Sequence, residues 1–294
     1  MDIGVQYTDR QFLILLKKIK NIYAEAERDL ADKLQDFTER FKVKEAKHLN
    51  ELHRGEITQE QYDGWLRGQV FQDRQWKLKR EQIANTLFNA NSEATRIING
   101  ETISVFAENA NVAAYMLEHG AGVNFGFGLY DSNTVTNLLK NDPNILPFKK
   151  MNKAKDKKWN FQKIRNQITQ GIIQGERLDQ IAKRLSTATG SQNMRQMIMH
   201  ARTAMTSAQN AGRQIRYEEA EKKDIKLHKE WMATFDNHTR DAHRELDGQK
   251  VPVGKKFKVD GYEIDYPGDP HAQPYLIYNC RCTMVSDLDD FPEE

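Results

Sequence analysis

Between Val5 and Arg54 the chain contains neither glycine nor proline. Within that stretch Leu16, Ile19, Tyr23, Ala26, Leu30, Leu34, Phe37 and Phe41 follow one another at steps of three and four. An α-helix turns once in 3.6 residues, so this spacing gathers all eight on one face. Glu25, Glu27, Arg28, Asp32, Lys33 and Glu39 fall on the other faces. A strand would throw every second apolar residue into water, so the sequence requires one or two long amphipathic helices. Their apolar stripe must be covered, either by the rest of a helical bundle or by another chain in a coiled coil.

Helical patterning continues over 59–118, with Trp65, Phe71, Trp76, Leu78, Ile83 and Leu87 as expected core residues. The glycine-rich stretch EHGAGVNFGFGLYDSN (118–133) then breaks it. Its glycines have neither the GxGxxG nor the GK[ST] spacing of a nucleotide cradle, so it reads as a loop or hinge. The prolines of NDPNILPFKK (141–150) mark a boundary. We therefore expect a helical N-terminal region at 1–145, a helical middle region with a basic start at 146–224, and a small α+β domain at 225–288. The fold class is α+β, predominantly helical.

The middle region opens with Lys149, Lys150, Lys153, Lys155, Lys157 and Lys158, with Asp156 as the single acid and with Trp159 and Phe161 close behind. Cations interleaved with aromatics suit phosphate contact with stacking on bases. The same run is equally the solvated start of a helix. The net charge of +2 decides nothing between the two. Two helical segments ending at Gly175 and Gly190 follow, then a third whose stripe is Met194, Met197, Ile198, Ala201, Met205 and Ala208.

After residue 224 the period changes from about 3.6 to 2. Leu227, Trp231, Ala233 and Phe235 sit on alternating positions, a strand signal. HTRDAHRELDG reads as a helical turn stopped by Gly248, and KFKVDGYEIDY as a hairpin about Asp260-Gly261. LIYNCRCTMV reads as a closing strand, in which Cys280, Cys282 and Met284 project to one side.

Cys280 and Cys282 are the only cysteines. A bridge between residues i and i+2 strains disulfide geometry. Two thiols on one side suit a soft metal, and zinc would then require nitrogen or carboxylate ligands from elsewhere. Asp236, His238, Asp241, His243 and His271 lie in nearby segments. Two buried inert thiols are the plainer alternative. His243-Arg244-Glu245 followed by paired cysteines also invites comparison with HxE…PCxxC zinc deaminases, but the proline is missing and the cysteine spacing is short by one. No catalytic residue is assigned. No apolar run reaches the roughly 20 residues of a membrane span, and the N-terminus lacks the order of a secretory signal. Two cysteines give no disulfide framework and fit synthesis in a reducing compartment.

The ordered set Ala201-Arg202-Thr203, Asn210, Gly212-Arg213, Trp231, Asp236, Thr239-Arg240, His243, Leu246-Asp247-Gly248, Pro267-Gly268 and Asn279-Cys280-Arg281-Cys282 resembles the Mu F-like head-morphogenesis family of tailed bacteriophages, also called minor head or minor capsid proteins. The resemblance covers roughly 155–285. It implies a structural virion component, not an enzyme, acting in head assembly at the portal and head interior after synthesis in the host cytoplasm. A DNA-binding protein packaged and ejected with the genome is the alternative it leaves open. In some members the position of Arg240-Asp241-Ala242-His243 looks like a Cys-x-x-Cys pair, which with the later cysteines would make four thiolates. Here that implies His243, Cys280 and Cys282 as ligands of a structural zinc, with the fourth unassigned among Asp236, His238 and His271.

Overall fold

The computed structural model describes residues 2–71 and 74–288, without the side chains of residues 36, 37, 40, 71, 74 and 75. The expected core residues Phe37 and Phe71 therefore lie outside the described side chains. Helices α1 (Ile3–His53), α2 (Gln59–Phe71), α3 (Arg74–Ala121), α4 (Ser132–Asn141), α5 (Lys153–Ile173) and α6 (Leu178–Glu221) come first. Then come β1 (Leu227–Met232), α7 (Asp241–Leu246), β2 (Lys250–Pro252), β3 (Phe257–Val259), β4 (Tyr262–Ile264), α8 (Pro274–Ile277) and β5 (Thr283–Leu288). The predominantly helical α+β class is as the sequence predicts.

The chain forms two compact units. One comprises Lys18–Thr95 and Lys150–Met197. Its core takes Leu30 and Leu34 from α1, Tyr62 and Leu66 from α2, Trp76, Ile83 and Leu87 from α3, Ile164 and Ile168 from α5, and Ile181 and Leu185 from α6. Leu78, expected in this core, is 53 % exposed, because the α3 stripe passes from Trp76 to Ile83 without it. Buried Glu45 accepts the backbone N–H of Leu178 at 2.7 Å and the Tyr62 hydroxyl at 3.2 Å. It thereby satisfies an orphan donor at the start of α6 and favours the positive end of the helix dipole. A buried polar cluster joins four helices. Tyr23 donates to Asn91. Asn91 donates to Asp156 at 3.0 Å and to Asn193 at 3.2 Å, and Asn193 donates to Asn160 at 3.3 Å.

Gly190, expected to end a helix, lies inside α6. A Cβ there would meet the Glu27 side chain, so the glycine serves close helix packing and not termination. Gly175, with φ 68°, does follow the end of α5. Helix α4 begins at the end of the glycine-rich stretch, where the sequence pattern assigns no helix. Its start carries a cap, Asp131 accepting from the Thr134 backbone N–H at 2.7 Å.

The other unit comprises Met1–Lys17, Arg96–Lys149 and Ile198–Glu294. Its three-stranded antiparallel sheet has the order β2-β1-β5, with Trp231 opposite Met284. Strands β3 and β4 form the expected hairpin, with Asp260 and Gly261 at φ 51° and 76°, as a primed two-residue turn demands. The buried face of β1 carries Leu227, Lys229 and Trp231. Gly212 on α6 faces the α3 backbone: a Cβ there would lie 3.1 Å from Ala110 N and closer still to the Phe106 carbonyl oxygen.

Candidate functional site

Polar side chains on the buried face of α6 build the site. Thr203, Thr206, Asn210 and Arg213 are all buried, and a buried polar group requires a partner. Their partners are mostly backbone atoms of the segment leading into β5 and of β5 itself, with the Pro267 carbonyl and the Asp2 carboxylate besides. The Thr203 hydroxyl accepts from Asn279 N at 2.9 Å, and the Thr206 hydroxyl donates to Cys280 O at 2.6 Å. Asn210 donates to Pro267 O at 3.1 Å and Cys282 O at 3.2 Å, and accepts from Met284 N at 3.0 Å. Arg213 donates to Met284 O at 2.8 Å and pairs with Asp2. Gly268, at φ 83°, packs against the α6 backbone, where a Cβ would lie 2.9 Å from Ser207 N.

These clamps hold the cysteines in a turn, not in the strand expected for them. Asn279 takes φ 57°, and β5 begins only at Thr283. The turn still directs both thiols inward, and each is 2 % exposed. His243, buried on α7 with Trp231 edge-on at 5.8 Å, faces them. Its Nε2 lies 2.9 Å from Leu276 O. A carbonyl only accepts, so Nε2 carries the proton and the Nδ1 lone pair points elsewhere. Nδ1 lies 3.3 Å from Cys282 Sγ and 3.7 Å from Cys280 Sγ. The Cys280 sulfur also accepts the Cys282 backbone N–H at 3.3 Å. The hydrogen bond from Cys280 pulls the Cys282 thiol down, whereas the bond to Cys282 and burial push Cys280 up.

His243, Cys280 and Cys282 are the three ligand-type residues that come together here, all their ligand atoms within 4.8 Å of one another. This group could bind a metal ion. A cavity of about 20 Å³ adjoins it, lined by Thr234, His238, Thr239 and Arg240 among others. None of the three candidates for a fourth ligand joins the cluster. Asp236 pairs with Arg281, which holds its carboxyl below the usual range. His238 and His271 are exposed. Glu245, the proton carrier of the deaminase comparison, is exposed and does not line the cavity.

The lysine run is elsewhere. Lys150, Lys153, Lys155 and Lys158 are exposed around the start of α5, where Asn152 caps the helix. Lys157 lies 3.6 Å from Glu81, and the Lys149 carbonyl accepts from Asn99 at 3.1 Å. Of the neighbouring aromatics, Phe161 packs against the core and Trp159 lies 3.1 Å beneath the Lys163 ammonium.

Sequence reasoning found the His-Cys-Cys group and missed the α6 clamps. The signal for them was present: Thr203, Thr206, Asn210 and Arg213 recur at steps of three and four, a polar stripe on one face of α6 beside its apolar one, and burial of such a stripe requires partners for its polar groups.

Residues 162–285 match the family model described as Phage Mu protein F like protein. The chain is 30 % identical over 182 residues to an Enterococcus faecalis protein named NAD(+)–arginine ADP-ribosyltransferase EFV, covering 61 % of this chain and 36 % of that protein. It is 29 % identical over 185 residues to the Minor head protein GP7 of Bacillus phage SPP1, covering 63 % of this chain and 59 % of GP7. An uncharacterized Haemophilus influenzae protein is 24 % identical over 200 residues, covering 68 % of this chain and 40 % of that protein. The chain thus spans less than two thirds of each of these relatives. No solved structure matches.

Proposed function

We propose that the chain, whose residues 162–285 match the Phage Mu protein F like family, is a minor head protein of that family, a structural part of a phage head assembled at the portal and head interior. The likeness to GP7 over 63 % of the chain carries this reading. Its work is binding. The ADP-ribosyltransferase activity in one relative's name belongs to a protein of which 36 % aligns. Co-expression with phage portal and capsid proteins, followed by purification of particles, tests the proposal. The chain should be retained with the portal or in the particles. A monomer with affinity for neither refutes it.

The His243-Cys280-Cys282 group fits structural zinc. Bonds of about 2.3 Å to sulfur and 2.0–2.1 Å to nitrogen at tetrahedral angles separate N from S by roughly 3.5 Å, and the two N–S distances here are 3.3 and 3.7 Å. The Nε2–H bond to Leu276 O is the outer-shell contact that fixes the tautomer leaving Nδ1 free to ligate. When bound, zinc would cross-link the α7 turn to the segment before β5. About one equivalent should accompany the wild type and be lost in Cys282→Ser; metal-free wild type leaves packing alone. The lysines around the start of α5, four of them exposed, favour a second reading, contact with packaged double-stranded DNA through Lys149, Lys150, Lys153, Lys155, Lys157 and Lys158.

A further inference from the structure

Helix α5 has a second stripe that the core does not use. Its core face is Ile164, Gln167, Ile168, Gly171 and Ile172. Gln162, Arg165, Asn166 and Gln170 recur at the same helical spacing on another face, and all four are exposed. With Lys77 and Arg80 at the start of α3 they wall a groove of about 1090 Å³. Among the described residues no carboxylate lines it. Three cations therefore face one concavity without an acid to neutralise them there. Among the described residues Arg80 Nε, which is buried, has no hydrogen-bond partner. A buried guanidinium donor left unpaired is costly, and an incoming anion is what would satisfy it.

We propose that this groove binds a phosphodiester chain, the cations contacting phosphates and the carboxamides hydrogen-bonding sugars or base edges. The stripe from Gln162 to Ile173 runs about 16 Å at 1.5 Å per residue, long enough to follow successive phosphates and not a single ion. This site is distinct from the lysine run at the start of α5, and it does not rest on the minor head reading.

The test is binding of fluorescent duplex and single-stranded DNA to the full chain by anisotropy, between about 50 and 200 mM salt. The variants are Lys77→Gln/Arg80→Gln/Arg165→Gln and, as a comparison, Lys150→Gln/Lys153→Gln/Lys155→Gln, each checked for its helical circular dichroism. Neutralising three contacts should lower affinity roughly tenfold or more and reduce the log–log salt slope by about 2–3. Preference for duplex or single strand in the wild type identifies the form of the chain. Where the triple variant fails to fold, Arg165→Gln alone, exposed on α5, should reduce the slope by about one. Absence of binding at the lowest salt, unchanged affinity in the groove variants, or tighter binding of poly-glutamate than of either DNA overturns the assignment.

Discussion

Asn210→Ala removes one side chain from the middle of α6 and should loosen a segment 72 residues away in sequence, the span from Asn210 to Cys282. The Asn210 amide serves Pro267 O, Cys282 O and Met284 N, all within 3.2 Å. Each buried backbone group left unpaired costs roughly 1–3 kcal/mol, reduced where water enters the vacated space. Three such groups with partial rehydration amount to a loss of about 2–4 kcal/mol. Urea unfolding gives that number directly. The location of the loss is read by thiol chemistry, since Cys280 and Cys282 are the only cysteines. In metal-free protein a thiol reagent should modify both much faster in Asn210→Ala than in wild type under native conditions. Destabilisation below about 0.5 kcal/mol, or unchanged thiol protection, would refute the clamp argument.

Three further outcomes are expected. Gly212→Ala should destabilise by about 2 kcal/mol or more, because its Cβ would press on the α3 backbone at Phe106 and Ala110 and neither can rotate away; an unchanged unfolding midpoint contradicts this. Lys229 is buried, its ammonium donating to Asp265 O at 2.8 Å and Gln214 at 3.1 Å, and burial pushes it down to about 8 against the pull of Asp265 and Glu218. The folded state then binds fewer protons than the unfolded chain, so this residue's contribution to stability rises from about pH 8 to 10.5. Lys229→Met should flatten that rise, and parallel stability curves for the two proteins would disprove it. Loss of bound zinc in Cys282→Ser, with reduced thermal stability only when the wild type is loaded, would support a structural metal.

The parts of the fold that are legible in the sequence obey a period. The α1 stripe is buried at Ile19, Tyr23, Leu30 and Leu34, although Leu15 is the buried residue where the spacing predicts Leu16. The β3–β4 hairpin is written in Asp260-Gly261. The parts that are not legible depend on a neighbour. Gly190 reads as a stop until Glu27 is placed beside it, and the cysteines read as strand until Thr203, Thr206 and Asn210 take their backbone bonds. The convergence of His243 on both thiols can be suspected from residue types, but the direction of Nδ1 depends on Leu276 O, which no local pattern announces.

The asparagine cluster joining α1, α3, α5 and α6 has a consequence for how this chain can change over generations. Apolar side chains tolerate sliding of one helix along another, but an amide must meet its partner within a few tenths of an ångström. Deleting one residue from α5 between Asp156 and Asn160 would shift the rest of the helix by about 1.5 Å and turn it through roughly 100°, breaking the Asn160–Asp156 bond of 2.9 Å. The cluster thus acts as an index pin for the axial height of four helices. Substitutions can accumulate around it freely, whereas insertions and deletions in these helices survive only outside the interval it fixes.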